Sequence, residues 1–215
     1  METYGCIDNC LDELMYEDLI QISNLMPYLS GIRKEPDMPD VIRWLYGTDT
    51  DIDSPGVYRN SSCRNNPQLV YEIFFSNSIA SRSQSSNFYL KLVQYVLRTH
   101  FSHVNMVKWE VIRMKINLGL KTTNRKRYLV PHLDDVNGYH LSMSLLLGNS
   151  DGDHIVFRET DPNIRKKQDK DLTILDQFNY QNNRLLYNFG HYHCNYDPVE
   201  HDHRLALNIV LRIYT

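Results

Sequence analysis

The sequence predicts an α+β fold in which helices come first and a β-sandwich or jelly roll follows. In the first half of the chain, apolar residues recur at helical spacing over two stretches, residues 10–26 and 87–101. From about residue 108 the apolar period changes to two, which is typical of half-buried strands. Short strands joined by turns that contain Gly, Asn, Asp and Pro are typical of a sandwich or jelly roll.

The two helices are separated by a region rich in turn residues. The first helix is predicted to end before Pro27, because proline cannot continue a helix. The second is predicted over 87–101. Two short strands are predicted between them, at 41–46 and 69–75. Because the helices precede the main strands, we expect them to cover one outer face of the β-structure.

Three longer strands are predicted from strict alternation in the second half of the chain. Apolar side chains occupy the even positions in residues 110–118, and the odd positions in 140–147 and 204–213. Successive side chains of a strand point to opposite faces, so each of these strands has one apolar face and one more polar face. The apolar positions of the first strand are Ile112, Met114, Ile116 and Leu118.

The composition is that of one ordinary globular domain. The 215 residues are expected to form a single unit, with 1–104 as a helical, turn-rich support and 105–215 as the β-core. The net charge of −3 argues against a phosphate-backbone partner, which requires a concentrated basic surface. No apolar run approaches the roughly 18 residues of a membrane span. The four cysteines suggest reduced thiols, and the chain is expected to be cytoplasmic.

A candidate metal site is divided between two parts of the second half. His132 and Asp134 are two residues apart, so on a strand both side chains would point to one face. His193 lies downstream, shortly before the last predicted strand. Two imidazoles and one carboxylate on one face of a metal, with the opposite positions open, form the facial triad of non-haem Fe(II) oxygenases. The open positions would admit a co-substrate and O₂.

Arg204 opens the last predicted strand and could bind a dicarboxylate. Its planar guanidinium matches a carboxylate through two parallel hydrogen bonds. The other face of this strand is continuously apolar, so a charge on the strand must be solvated or paired. A surface arginine at a strand start is the alternative reading.

The second half of the chain, about residues 107–215, resembles the 2-oxoglutarate/Fe(II)-dependent oxygenase superfamily, and most of all its prolyl-hydroxylase-like branch. The residues that carry the resemblance are His132-x-Asp134, Gly152-Asp153, Asn183-Arg184-Leu185, Tyr192-His193, Pro198, Arg204 and Asn208-Ile209. The resemblance implies a double-stranded β-helix core, the jelly roll of that superfamily. It also implies that His132, Asp134 and His193 bind Fe(II).

The same resemblance implies the co-substrate pocket and the reaction. Arg204 would bind the distal carboxylate of 2-oxoglutarate, Asn208 would line the same pocket, and Tyr128 would donate a hydroxyl to the co-substrate. The implied enzyme is a hydroxylase that couples decarboxylation of 2-oxoglutarate to succinate with oxidation of a C–H bond by O₂, with ascorbate in support. A protein side chain or a small molecule is favoured over nucleic acid as the primary substrate, because the net charge is negative.

Two other functions remain open from the residues alone. One is a jelly-roll binding module with a structural zinc on His191, His193, His201 and His203. The other is an iron enzyme of the cupin kind that does not use 2-oxoglutarate, in which Arg204 would have no role.

Several neighbouring residues are assigned away from the metal. By strand parity Asp135 and Cys194 face away from it, and His154 is expected to lie on a strand without touching it. His191 shares the face of His193 and is expected either to support that ligand or to face the substrate. The charged, turn-rich segment 160–182 is expected to be a lid or an exposed excursion.

Overall fold

Two helices precede the main strands, as the α+β prediction requires. The computed structural model describes residues 3–25, 44–48, 67–75, 84–121, 129, 131–135, 139–161 and 172–214. The helices are α1 (Glu13–Leu25) and α2 (Gln84–His100). The strands are β1 (Tyr4–Ile7), β2 (Trp44–Thr48), β3 (Pro67–Phe75), β4 (Lys108–Leu120), β5 (His140–Leu147), β6 (His154–Phe157), β7 (Ile174–Phe178), β8 (Leu185–Asn188), β9 (His193–Asn195) and β10 (His203–Tyr214).

The predicted elements agree closely with the observed ones. Strand β5 has the bounds predicted for it, and β4 and β10 extend one or two residues beyond their predicted ends. Both helices occur where the apolar spacing predicts them. Residues 41–43 of the predicted strand 41–46 lie outside the described residues.

A large antiparallel sheet forms one wall of the fold. Its strand order is β1-β8-β5-β10-β4-β3-β2, so β10 lies near the centre. The apolar face of β10, with Leu207 and Ile209 fully buried, packs in one core with side chains of both helices, among them Leu19 and Val96. The predicted helical cover of one outer face is therefore confirmed.

A small sheet of order β7-β6-β9 forms the opposite wall. Residues 129 and 131–135 extend it beyond β9. The amide of Leu129 donates to the carbonyl of Asn195 over 2.8 Å, and His132 pairs with His193. At one end the space between the walls is filled by an apolar cluster that includes Leu146, Ala206 and Phe178. Two antiparallel sheets facing each other in this way form the predicted jelly roll.

A β-bulge in β4 corrects the predicted alternation of that strand. Val210 of β10 is opposite Arg113, but the next residue, Leu211, is opposite Val111, so Ile112 is the extra residue. Val111 belongs to the core beneath the helices, whereas Ile112 is only half-buried. The prediction that Ile112 shares the apolar face is therefore wrong.

The segment 160–182 was predicted to be a lid or an exposed excursion, and this is wrong for part of it. Residues 174–178 form β7, an edge strand of the small sheet that pairs with β6. Residues 162–171 lie outside the described residues. No helix within the described part of the chain combines the length and apolar character that a membrane crossing requires.

Candidate metal centre and co-substrate pocket

Three side chains, from His132, Asp134 and His193, converge between the two sheets. One ligand atom from each lies within 4.8 Å of the others. Nε2 of His193 is 3.2 Å from Oδ2 of Asp134, and Nε2 of His132 is 3.9 Å from Oδ1 of Asp134. These separations are short enough for one nitrogen of each ring and one oxygen of the carboxylate to share a single ion.

Backbone pairing explains why residues so distant in sequence meet. The amides and carbonyls of His132 and His193 exchange two hydrogen bonds of 3.0 Å, which places the residues directly opposite each other. Their imidazole rings lie on the same side, with centroids 4.8 Å apart. Asp134 is two residues from His132, and its side chain reaches the same cluster.

The orientation of the His193 ring is set by its own neighbour. Its Nδ1 lies 3.1 Å from the carbonyl oxygen of His191, to which the Nδ1–H donates. The other nitrogen, Nε2, faces Asp134 and is the ring atom that a metal would bind in place of a proton. His191 is in turn held by Phe157 and Thr3, through ring-nitrogen contacts of 2.9 Å each. The predicted supporting role of His191 is thus provided by its carbonyl group.

The Asp134 side chain is ionised in this environment. Burial disfavours its charged form, but the charges of His193 and Arg113 and a hydrogen bond from His193 hold its pKa well below the ordinary value. Nη2 of Arg113 donates to Oδ1 of Asp134. The side chains of His132, Asp134 and His193 are 13%, 10% and 7% exposed, so the cluster is largely shielded from water.

This donor set fits a divalent transition metal. Two imidazole nitrogens and one carboxylate oxygen are the facial set of non-haem iron sites, and three protein ligands leave other positions for exogenous ligands. Among the described residues, His132, Asp134 and His193 are the one group of three or more His, Cys, Asp or Glu side chains close enough to share an ion. His201, which the zinc alternative requires, is exposed and contacts Asp151 instead.

Arg204 lies in the same interior, at the start of β10. The residue is only 6% exposed. Its Nη2 donates to Oδ1 of Asn195 over 2.9 Å, and its guanidinium carbon lies 5.8 Å from the ring centroid of Tyr180. The guanidinium thus places a positive charge in the interior of the fold, on the same face of β10 as Asn208.

Gly152 makes room for the Arg204 side chain. Its φ of +100° is in the left-handed region that favours glycine. A Cβ at this position would lie 2.7 Å from the carbonyl oxygen of Tyr196 and 3.2 Å from Cδ of Arg204. The glycine of the predicted Gly152-Asp153 pair is therefore required both by the backbone and by the approach of Arg204.

The sequence analysis missed a hydrogen-bonded pair that links the two parts of the site. His154 of β6 is opposite Asn195 of β9, and its Nδ1 lies 2.8 Å from Oδ1 of Asn195. Burial, with the charges of His193 and Arg204, lowers the pKa of His154 to about 3, so the ring is neutral and its Nδ1–H donates. Asn195 thus accepts from both His154 and Arg204. Its position two residues after His193, on the same face of β9, was the available signal.

Two further residues were predicted for the co-substrate pocket, Asn208 and Tyr128, and two were predicted to face away from the metal, Asp135 and Cys194. Asn208 lies on the Arg204 face of β10, half-buried, and accepts a hydrogen bond of 2.5 Å from Ser144. Tyr128 lies outside the described residues. Asp135 faces Arg212, and Cys194 is buried in a separate apolar cluster, so both point away from the candidate metal as predicted.

The turn that leads into β10 is held by Asp151. Its carboxylate accepts hydrogen bonds from the amides of Val199, Glu200 and His201, at 2.6, 3.1 and 3.0 Å. Burial opposes ionisation, but these amides and the His201 side chain lower the pKa of Asp151 from 3.8 to about 2. A negatively charged Asp151 therefore stabilises the turn just before Arg204.

Asp151→Asn is expected to lower the free energy of unfolding by roughly 2 kcal/mol at neutral pH. Because the folded-state pKa is depressed, the stabilisation is present above about pH 4 and is lost as the pH falls to about 2. Urea unfolding of both proteins across this range measures the difference, which should shrink in acid. Asp202→Asn, at an exposed position of the same turn, is the control. Equal stability of the Asp151 and Asp202 variants at pH 7 would contradict this assignment.

Solved structures of oxygenases have the same fold. A 2OG-Fe(II) oxygenase family protein from Burkholderia pseudomallei is 14% identical, with a TM-score of 0.63, over 99% of this chain and 86% of that one. A prolyl-4-hydroxylase from Pseudomonas putida is 11% identical, with a TM-score of 0.54, over 99% and 94%. HygX from Streptomyces hygroscopicus, with nickel and 2-oxoglutarate bound, is 9% identical, with a TM-score of 0.53, over 98% and 83%.

Comparisons of the sequence itself found no match. No protein-family model matches the chain, and no curated protein matches its sequence. The likeness is thus one of fold: the chain has the double-stranded β-helix of 2-oxoglutarate/Fe(II) oxygenase structures, prolyl hydroxylases among them.

Proposed function

We propose that the chain is an Fe(II)/2-oxoglutarate-dependent oxygenase, and specifically a hydroxylase. The observation that carries the proposal is the convergence of His132, Asp134 and His193 inside a jelly roll that also buries Arg204. The cluster of two histidines and one aspartate, taken by itself, would be evidence only for metal binding. The buried cation Arg204 in the same interior is evidence for an anionic co-substrate as well.

In this proposal His132, Asp134 and His193 hold the iron. The carboxylate supplies negative charge, and the neutral Nε2 atoms supply lone pairs, which is the donor set that Fe(II) takes in such sites. When bound, iron and 2-oxoglutarate together supply the activation of O₂ that oxidises an unreactive C–H bond, with succinate and CO₂ as co-products. The protein contributes binding, orientation and exclusion of water.

Arg204 binds the distal carboxylate of 2-oxoglutarate. A buried guanidinium gains far more from a carboxylate than an exposed one does, because the surroundings screen the charges weakly. Asn195 holds one guanidinium nitrogen and receives the Nδ1–H of His154, so the arginine is oriented before the co-substrate arrives. Asn208 lies on the same face of β10 and lines the pocket.

The chain acts as one domain in this proposal, with residues 1–104 as support and 105–215 as the part that carries the site. The shared core supports this division, because Leu19 and Val96 of the helices pack in one cluster with Leu207 of β10. The helices thus brace the outer face of the sheet whose inner face carries Arg204.

A protein side chain or a small molecule is the proposed primary substrate. The net charge of −3 disfavours a nucleic acid, which would need a concentrated basic surface. The similarity in fold to a prolyl-4-hydroxylase is compatible with a peptide substrate.

The test is a two-step assay. Anaerobic protein with Fe(II) should give a visible charge-transfer band when 2-oxoglutarate is added, because the co-substrate chelates the metal. Admission of O₂, with ascorbate to keep the iron reduced, should then yield succinate, slowly if no primary substrate is present. Tight stoichiometric zinc without any response to 2-oxoglutarate would favour the zinc-module alternative. Iron binding without a 2-oxoglutarate response would favour the cupin-like alternative.

A further inference from the structure

The two oxygens of the Asp134 carboxylate have different neighbours. Oδ1 accepts a hydrogen bond from Nη2 of Arg113. Oδ2 lies 3.2 Å from Nε2 of His193. One oxygen is thus held by a cation on the large sheet, while the other faces an imidazole of the small sheet.

Arg113 lies on the polar face of β4, in continuous register with Lys115 and Asn117. It is opposite Val210 of β10, and its guanidinium reaches Asp134 on the segment next to β9. The side chain of Arg113 is 21% exposed, so its guanidinium is partly shielded where it meets Asp134.

We propose that Arg113 is a positioning residue that holds one oxygen of Asp134 so that the other is presented to the metal; this rests on the proposed function. A carboxylate can bind a metal through one oxygen or through both. Holding Oδ1 fixes the carboxylate plane and favours binding through one oxygen. Keeping a coordination position open in this way is what a facial three-ligand site needs.

A second pair provides a matched comparison one residue further along. Nη2 of Arg212 donates to Oδ2 of Asp135 over 2.8 Å, and the Asp135 side chain is 5% exposed. Both arginines belong to the large sheet and both aspartates to the segment 131–135. Only Asp134 belongs to the candidate metal cluster, so loss of Arg212 removes the same charge without releasing a ligand.

Titration of metal-free protein with Co(II), without 2-oxoglutarate or turnover, tests the proposal. In Arg113→Met, Co(II) affinity should fall roughly 10- to 100-fold, the range seen when a partner of a metal ligand is lost. The charge effect has the opposite sign, since removal of a cation next to a dication should tighten binding. The direction of the change therefore separates positioning from electrostatics.

Three further variants complete the test. Arg212→Met should change Co(II) affinity less than about threefold, and Arg113→Lys should recover most of it, because one ammonium can replace the one donor used. Arg113→Gln, polar but shorter, should show the same loss as Arg113→Met and replaces it if the apolar variant does not fold. Thermal unfolding and the visible Co(II) spectrum report folding and coordination separately.

The possible failures are distinguishable. If the unaltered protein binds no Co(II), the proposed function and this inference fall together. If it binds Co(II) and Arg113→Met binds equally or more tightly, only the role of Arg113 is overturned. An equal loss in Arg212→Met would also overturn it, because the effect would then belong to the segment and not to the ligand.

Discussion

His193→Ala should abolish stoichiometric Fe(II) binding and, with it, succinate formation. His193 supplies one of three proposed ligands, and its Nε2 already lies 3.2 Å from the Asp134 carboxylate. Loss of a partner that only orients a ligand costs roughly 10- to 100-fold in metal affinity. Loss of the ligand itself should cost more than that. Anaerobic titration with Fe(II), followed by metal analysis after gel filtration, measures the change.

The matched control is His201→Ala. His201 is a second C-terminal histidine, but it is exposed and contacts Asp151. The proposed function requires normal iron binding in this variant, whereas a zinc site built on the C-terminal histidines requires a defect. Iron binding that survives His193→Ala, or that disappears in His201→Ala, would refute the proposed ligand set.

Arg204→Met should leave metal affinity nearly unchanged and weaken 2-oxoglutarate binding severely. Removal of one member of a buried, hydrogen-bonded charge pair costs roughly 2–5 kcal/mol. At about 1.4 kcal/mol per factor of ten, this predicts a loss of about 30-fold or more. Anaerobic calorimetry of the iron-loaded protein with 2-oxoglutarate measures it. Turnover at saturating 2-oxoglutarate should recover in part, since the iron ligands remain.

Arg158→Met is the control for this substitution, because Arg158 is exposed and follows β6 directly. Its 2-oxoglutarate affinity should match that of the unaltered protein. An iron enzyme that does not use 2-oxoglutarate would show no binding in any of the three proteins. Normal 2-oxoglutarate binding in Arg204→Met would remove Arg204 from the pocket and leave the co-substrate anchor unassigned.

Much of the architecture was accessible from the sequence because strand period is a local property. Strict alternation predicted β5 with its observed bounds and β10 within one residue at each end. The same alternation predicted that Asp135 and Cys194 face away from His132, Asp134 and His193, which the structure confirms. Each of these inferences needs only the parity of positions within one strand.

The bulge at Ile112 shows where local parity fails. Val111 and Ile112 are adjacent apolar residues, so either could continue the apolar face of β4, and strict alternation from Met114 selects Ile112. The register shift becomes visible only when β4 is paired with β10. Parity does place Arg113 on the polar face of β4, but its contact with Asp134 depends on how the two sheets face each other, which no spacing within either segment predicts.

By itself, the sequence determined that two helices precede the long strands, which face of each long strand is apolar, and three candidate ligands with a candidate anchor for an anion. Only the tertiary structure decided which faces oppose each other. It placed His132 against His193, joined His154 and Arg204 through Asn195, and made residues 174–178 a strand of the small sheet. The physical reason is that side-chain periodicity is set within a few residues, whereas strand partners and their register depend on closing loops across the whole chain.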